Sequence, residues 1–162
     1  MTKKIDFQNH CLIGVISDTH GHVAPAVLKA FADADLILHA GDIGEQDVLK
    51  TLKNIAPLVA VRGNMDFGKW AHRLPQEDTI EIGGICIHVI HDVQRLRIEG
   101  ISAAVSAIVF GHSHRRLARE TDGIFYLNPG SASYPKYGDS ASVALLHLQN
   151  GKLHTEFINL VE

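Results

Sequence analysis

The chain has 162 residues, 46% hydrophobic and 20% charged, with a net charge of −3 at neutral pH. That length suits one domain with a sizeable buried core, and the acidic balance excludes a general binder of nucleic acid or acidic membranes, which needs a basic excess or stripe. No apolar run reaches the roughly 18 residues of a helical membrane span, and the polar segment Met1 to His10 has no signal-peptide core, so a soluble, cytoplasmic domain is expected.

In chain order, Cys11 to Ser17 is an apolar run suited to a strand buried on both faces. Pro25 to Phe31 reads as a helix with one inward face, Asp35 to Ala40 as a second strand, Gln46 to Asn54 as a second helix and Pro57 to Val61 as a third strand. This β-α-β-α-β order predicts a parallel sheet. The second half changes character. Thr79 to Ile82 and Ile85 to Ile90 flank Gly83-Gly84 as a hairpin, and a helix is expected over Val93 to Val105, weakened by Gly100. Ala107 to Phe110 is a short strand. Arg115 to Glu120 with Ile124 to Leu127, and Ser142 to Leu148 with Lys152 to Leu160, form two further hairpins that point to a second, antiparallel or mixed sheet. Cys11 and Cys86 lie in apolar runs, as buried thiols do, with a single disulfide as the alternative.

Eleven histidines stand out, and their positions matter more than their number. Five predicted strands end in residues able to bind metal: Asp18-Thr19-His20, Gly41-Asp42, Gly63-Asn64, His91, and Gly111-His112-Ser113-His114. Open α/β sheets place their ligand crevice at that carboxyl edge. Asp18 and His20, like His112 and His114, are two apart and project to one side of an extended chain. Asp and Asn oxygens with imidazole nitrogens, and no thiolate, suit Mn, Fe, Zn, Ni or Co over Ca or a structural zinc knot. Seven ligands exceed those of one catalytic zinc and match two ions sharing a carboxylate. Two divalent ions, two aspartates and one hydroxide leave a centre of roughly +1, suited to a phosphate oxyanion. The competing explanations are helix capping by Asp18 and Asp42, a left-handed turn at Asn64 and turn histidines at 112 and 114. Each explains one motif, and none explains five in order.

The series D-x-H, G-D, G-N, H and G-H-x-H resembles the calcineurin-like metallophosphoesterases. The short length, Gly63-Asn64-Met65-Asp66 and Asn128-Pro129-Gly130-Ser131 resemble more narrowly the small YfcE-type phosphodiesterases, over Leu12 to about Ser131. The resemblance implies an α/β fold in which two mixed β-sheets pack as a sandwich flanked by α-helices in four layers. It assigns one metal to Asp18, His20 and His114 and the other to Asn64, His91 and His112, bridged by Asp42, with Asn64 also meeting the substrate. The implied cofactor is two divalent ions, Mn²⁺ foremost, with Zn²⁺, Fe²⁺, Ni²⁺ and Co²⁺ as alternatives. The implied reaction is hydrolysis of a small phosphate ester, foremost a diester, by a hydroxide bridging the metals. Homo-oligomers, dimer or tetramer, are compatible with it.

Two positions depart from the family pattern. Many relatives carry histidine after the motif asparagine to protonate the leaving group, whereas this chain has Met65, which favours good leaving groups. Asp92 follows His91 where glycine is common, so its charge either repels phosphate or points away. His39 and Asp66 are expected to stand behind the ligands. His88 reads as a packed strand residue, and His10, His22, His72, His147 and His154 as surface or structural groups. Arg115 and Arg116 read as a solvated hairpin face more readily than as a phosphate clamp. Phe67 and Trp70, in the stretch to Leu74, suit an aromatic flap, a subunit contact or a satellite of the core. The alternative function is a non-catalytic scaffold, like the retromer subunit of this fold whose metal centre is degraded. A nuclease would need a basic groove that the composition lacks.

Overall fold

The computed structural model describes residues 2–5, 10–97, 101 and 104–161. Strands β2 (His10–Ile16), β3 (Leu36–His39) and β4 (Leu58–Ala60) lie parallel. Helix α1 (Pro25–Ala30) joins the first two and α2 (Gln46–Lys53) the second pair. The hairpin of β10 (Ser142–Gln149) and β11 (Lys152–Asn159) adds to β2 antiparallel, giving a five-stranded sheet in the order β11-β10-β2-β3-β4.

The second sheet holds β1 (Lys3–Ile5), β5 (Glu77–Ile82), β6 (Ile85–Ile90), β7 (Val105–Val109), β8 (Leu117–Thr121) and β9 (Ile124–Asn128) in the order β1-β5-β6-β7-β9-β8. It is also mixed: β6, β7 and β9 run parallel, while the β5–β6 and β8–β9 hairpins are antiparallel. Gly83 and Gly84 make the first hairpin turn at φ of 56° and 79°, a conformation open to glycine without strain.

The core follows strand alternation. Ile13, Val15, Leu36 and Leu38 of the first sheet meet Ile80, Ile87, Val89 and Val109 of the second. The other face of the first sheet, with Ile16, Ile37 and Leu145, packs on Val27, Phe31, Val48 and Leu52 of the helical layer. Burying each such side chain contributes about 1.5–3 kcal/mol. Gly14 lets the Phe31 ring lie on bare strand, since a Cβ there would come within 2.9 Å of it.

Three local expectations are corrected. The helix expected over Val93 to Val105 is a single 3₁₀ turn, Val93–Arg95, after which Leu96 returns to extended backbone, and Val105 already opens β7. Residues 98–100, 102 and 103 of that stretch lie outside the described residues. The outer face of the second sheet is covered instead by Val93, Leu96 and Ile101 packed on Ile90, Ile108 and Phe110. The segment before His10, read only as polar, contains β1, a short edge strand whose Lys3 pairs with Asp78 at 2.7 Å. A four-residue helix, α3 (Lys69–His72), was also not anticipated.

Candidate metal centre

Parallel order puts the ends of β2, β3 and β4 at one rim and the ends of β6 and β7 at the rim facing it. Within each rim, backbone bonds hold the strand ends together. Asp18 N–H donates to Gly41 O (3.0 Å), His20 N–H to Asp42 O (3.1 Å), and Gly111 N–H to His91 O (3.0 Å). Five residues leave the strands through left-handed backbone: Asp18 (φ 56°), His20 (49°), Asp42 (55°), His112 (70°) and His114 (61°). Each costs on the order of 1–3 kcal/mol outside glycine, and such strain persists where the surroundings over-determine it. Close approach is the reason for two glycines. A Cβ on Gly63 would collide with the Asp42 carboxylate and backbone, and one on Gly111 with the Ser17 hydroxyl.

All seven predicted residues converge. Asp18, His20, Asp42 and His114 each offer a donor atom, all within 4.8 Å of one another. Beyond Asp42, His91 Nε2 lies 3.4 Å from Asp42 Oδ2 and 3.0 Å from Asn64 Oδ1, and His112 Nδ1 lies 3.2 Å from the same Asn64 oxygen. Asp42 therefore stands between two groups of donors.

Hydrogen bonds on the far atoms aim these side chains. Asp18 Oδ2 accepts from Ser17 Oγ (2.7 Å) and His112 N (3.2 Å), leaving Oδ1 toward the centre. Asp42 Oδ1 accepts from Met65 N (2.9 Å), leaving Oδ2. His91 donates Nδ1–H to Ala40 O (2.7 Å), and His114 donates Nδ1–H to Tyr134 O. The Nε2 lone pairs of both rings are thereby directed inward.

Inward, those lone pairs meet oxygen lone pairs. His91 Nε2 faces Asn64 and Asp42 oxygens, and His114 Nε2 faces Asp18 Oδ1 at 3.3 Å. Acceptors facing acceptors call for a proton or a cation between them. Burial disfavours charge on His91, but the Asp42 hydrogen bond and the Asp18 charge outweigh it and raise the imidazole pKa. At His114 the facing Asp18 carboxylate raises it against burial. Burial pushes the Asp42 carboxyl up, yet its bonds to His91 and Met65 N hold it below the ordinary value. Asp18 Oδ1 and His20 Nε2 are buried with no hydrogen-bond partner. Oxygen and imidazole donors with orphaned atoms turned inward fit a divalent transition metal.

The supporting residues differ from the donors. His39 is fully buried. It accepts from Gly41 N at Nδ1 (3.1 Å) and donates Nε2–H to Thr19 Oγ1 (3.0 Å), which donates to Ile43 O (2.8 Å). Burial lowers its pKa to about 3, so it is a neutral brace between two ligand loops. Asp66 accepts from Gly44 N (2.9 Å) and Gly63 N (2.8 Å), tying two more loops together. The Asp92 side chain caps the 3₁₀ turn through Gln94 N (3.0 Å) and stands 3.9 Å from His112 Nε2, on the ring edge away from Asn64.

Sequence reasoning took Asn128 to Ser131, after β9, only as a family likeness and gave that loop no part in the site. Asn128 Nδ2 donates to Gly111 O (3.1 Å), Ser131 Oγ to Asp18 O (2.8 Å) and Ser133 Oγ to Thr19 O (2.7 Å). The paired asparagine and serines of Asn128 to Ser133, unusual for buried positions, were the available signal. Of the remaining candidates, His88 is buried and bonded to Thr79 Oγ1 (2.7 Å). Arg116 donates to Asn159 Oδ1 (2.7 Å), and Arg115 lies over the Tyr137 ring. Trp70 packs on the helical layer while Phe67 is 69% exposed. Cys11 and Cys86 are buried free thiols, and burial pushes the Cys11 pKa up to about 12. From Asn64, His91 and His112 a groove of about 1010 Å³ opens toward Arg62, Arg95 and Arg97.

Residues 11–151 match the family model of the calcineurin-like phosphoesterase superfamily domain. A probable metallophosphoesterase of Methanothermobacter thermautotrophicus is 38% identical over 159 residues, spanning 91% of each chain. Among solved structures, the phosphoesterase YfcE of Escherichia coli superposes with a TM-score of 0.68 at 23% identity, over 93% of this chain and 100% of that one. Vacuolar Protein Sorting 29 of Cryptosporidium parvum superposes at 0.73 with 21% identity, over 96% and 100%.

Proposed function

The chain belongs to the calcineurin-like phosphoesterase superfamily, and from that premise we propose that it hydrolyses small phosphate esters, diesters foremost, at a centre of two divalent ions. The observation that carries this is the pair of inward lone-pair clusters on either side of Asp42, each built of oxygens and imidazole nitrogens facing one another. Asp18, His20 and His114 would hold one ion and Asn64, His91 and His112 the other, with Asp42 shared. Mn²⁺ is the ion proposed first, since carboxylate and amide oxygens stand among the ligands. When bound, the ions supply Lewis acidity that activates water and polarises the phosphoryl group.

The chain's own residues set what can react. Asn64, between His91 and His112 at the mouth of the groove, would meet the phosphoryl group. Met65 follows it with a side chain that is half exposed and cannot donate a proton, and it serves the site only through its N–H bond to Asp42. No imidazole at that position protonates the departing oxygen, which favours leaving groups stable as anions. The groove arginines give a second anionic arm of a diester somewhere to rest.

The test is hydrolysis of bis(p-nitrophenyl) phosphate by the purified chain with Mn²⁺. Activity is expected to vanish on chelation and in His112→Ala. Full activity in both cases overturns the proposal. The scaffold reading draws on the fold shared with Vacuolar Protein Sorting 29; against it stands a donor set with no position lost.

A further inference from the structure

β2 runs from His10 to the rim of the centre, so roughly 20 Å separates its two ends. At the far end His10 is one of three histidines on adjacent strands. His147 of β10 sits directly opposite His154 of β11, and His10 pairs with Gln149, two residues beyond His147. Alternation puts all three side chains on one face: Leu12 and Ile16, Val143 and Leu145, and Ile158 share their parity and pack on the helical layer. At this end of the sheet, His10 and His154 are exposed and His147 is partly so. Glu156, on the same face of β11, brings Oε1 to 3.7 Å from His147 Nε2.

The rings form a row, with centroids 5.8 Å apart for His10 and His147 and 5.9 Å for His147 and His154. The first centre supplies a measure, since its histidine pairs stand 5.1 and 5.3 Å apart. Neighbouring rings in the row stand little more than half an ångström farther apart than those pairs, and the exposed His10 and His154 side chains have room to turn toward His147. They border a hollow of about 720 Å³. The hollow's one fixed positive charge is Lys152, whose flexible stem can carry the ammonium into solvent.

We propose that His10, His147 and His154, with Glu156, form a second metal site on the outer face of the first sheet, for a borderline transition-metal ion of the Zn²⁺, Ni²⁺ or Cu²⁺ class. Three imidazoles and one carboxylate without thiolate suit these ions and offer too few oxygens for Mg²⁺ or Ca²⁺. None of the four residues is used by the first centre, and the proposal stands apart from the phosphoesterase reading.

Calorimetric titration of the metal-free full chain with Zn²⁺ tests it. The unaltered protein is expected to take up one equivalent more than His147→Gln, with the remaining equivalents unchanged. His10→Gln should weaken that extra equivalent at least about tenfold, the loss that even an outer partner of a ligand produces. His154→Gln, on the edge strand, repeats the stoichiometric comparison should His147→Gln fail to fold. Equal equivalents and affinities in the unaltered protein and the variants overturn the proposal. So does an extra equivalent weaker than about 1 mM.

Discussion

The two histidine groups stand at opposite ends of one sandwich and are held in different ways. His91 and His114 are buried, each with Nδ1 pinned by a backbone carbonyl and Nε2 turned to a carboxylate. His10, His147 and His154 rise from a regular sheet face, spaced by strand register, with ring neighbours and Glu156 beside them. The inner group is fixed before any ligand arrives, while the outer group must gather around one. Preorganisation is what a reaction centre needs, because interactions that are already aimed cost no rearrangement at the moment of reaction. A row of solvated imidazoles has affinity without that rigidity.

The largest expected effect breaks the inner group at its middle. Asp42→Ala should lower kcat/KM for bis(p-nitrophenyl) phosphate by at least the roughly 10²–10³-fold that loss of one transition-state donor costs, measured with saturating Mn²⁺. A smaller effect should come from the neutral brace. The His39 pKa is depressed from 6.5 to about 3 in the folded chain, so between those values the unfolded state binds the extra proton. The stability this residue contributes is present above pH 6.5 and is lost as pH falls toward 3. His39→Gln keeps a donor and an acceptor but does not titrate. Its urea-unfolding free energy should therefore fall less between pH 6.5 and 4, by some 3 kcal/mol relative to the unaltered chain; parallel pH profiles would count against the brace.

Next comes Asp66→Ala, which frees the buried Gly63 N–H and the Gly44 N–H from a shared carboxylate. Thermal unfolding should show a loss of about 1.5–3 kcal/mol, with Mn²⁺ affinity falling as the Asn64 loop loosens. The smallest effect belongs to the outer group. Without metal, His147→Gln should change stability by less than about 0.5 kcal/mol in the same assay. A loss like that of Asp66→Ala would show that the outer row is structural after all.

Much of this was legible along the chain because the signals were local. The apolar runs ending in Asp18, Asp42, Asn64, His91 and His112 mark strands and their carboxyl ends, and ten of the eleven strands among the described residues overlap runs read from the sequence. The helix expected after Val93 failed for a local reason too: Asp92 closes a 3₁₀ turn, and Leu96 is already extended. β1 gave no periodic signal in three residues, two of them lysine, and its strand character comes from pairing with β5.

By itself the sequence determined the donor types, their order and the edge of the sheet on which they lie, since strand period and motif spacing are properties of neighbouring residues. The tertiary structure alone decided which atom of each donor faces inward. Asp18 is aimed by His112 N, 94 residues away, and its carbonyl is held by Ser131, 113 residues away. It likewise decided that Asp92 stands beside His112, and that His10, His147 and His154 form one row. Such contacts arise only when sheets close on one another, because the energy that fixes them comes from groups no local pattern relates.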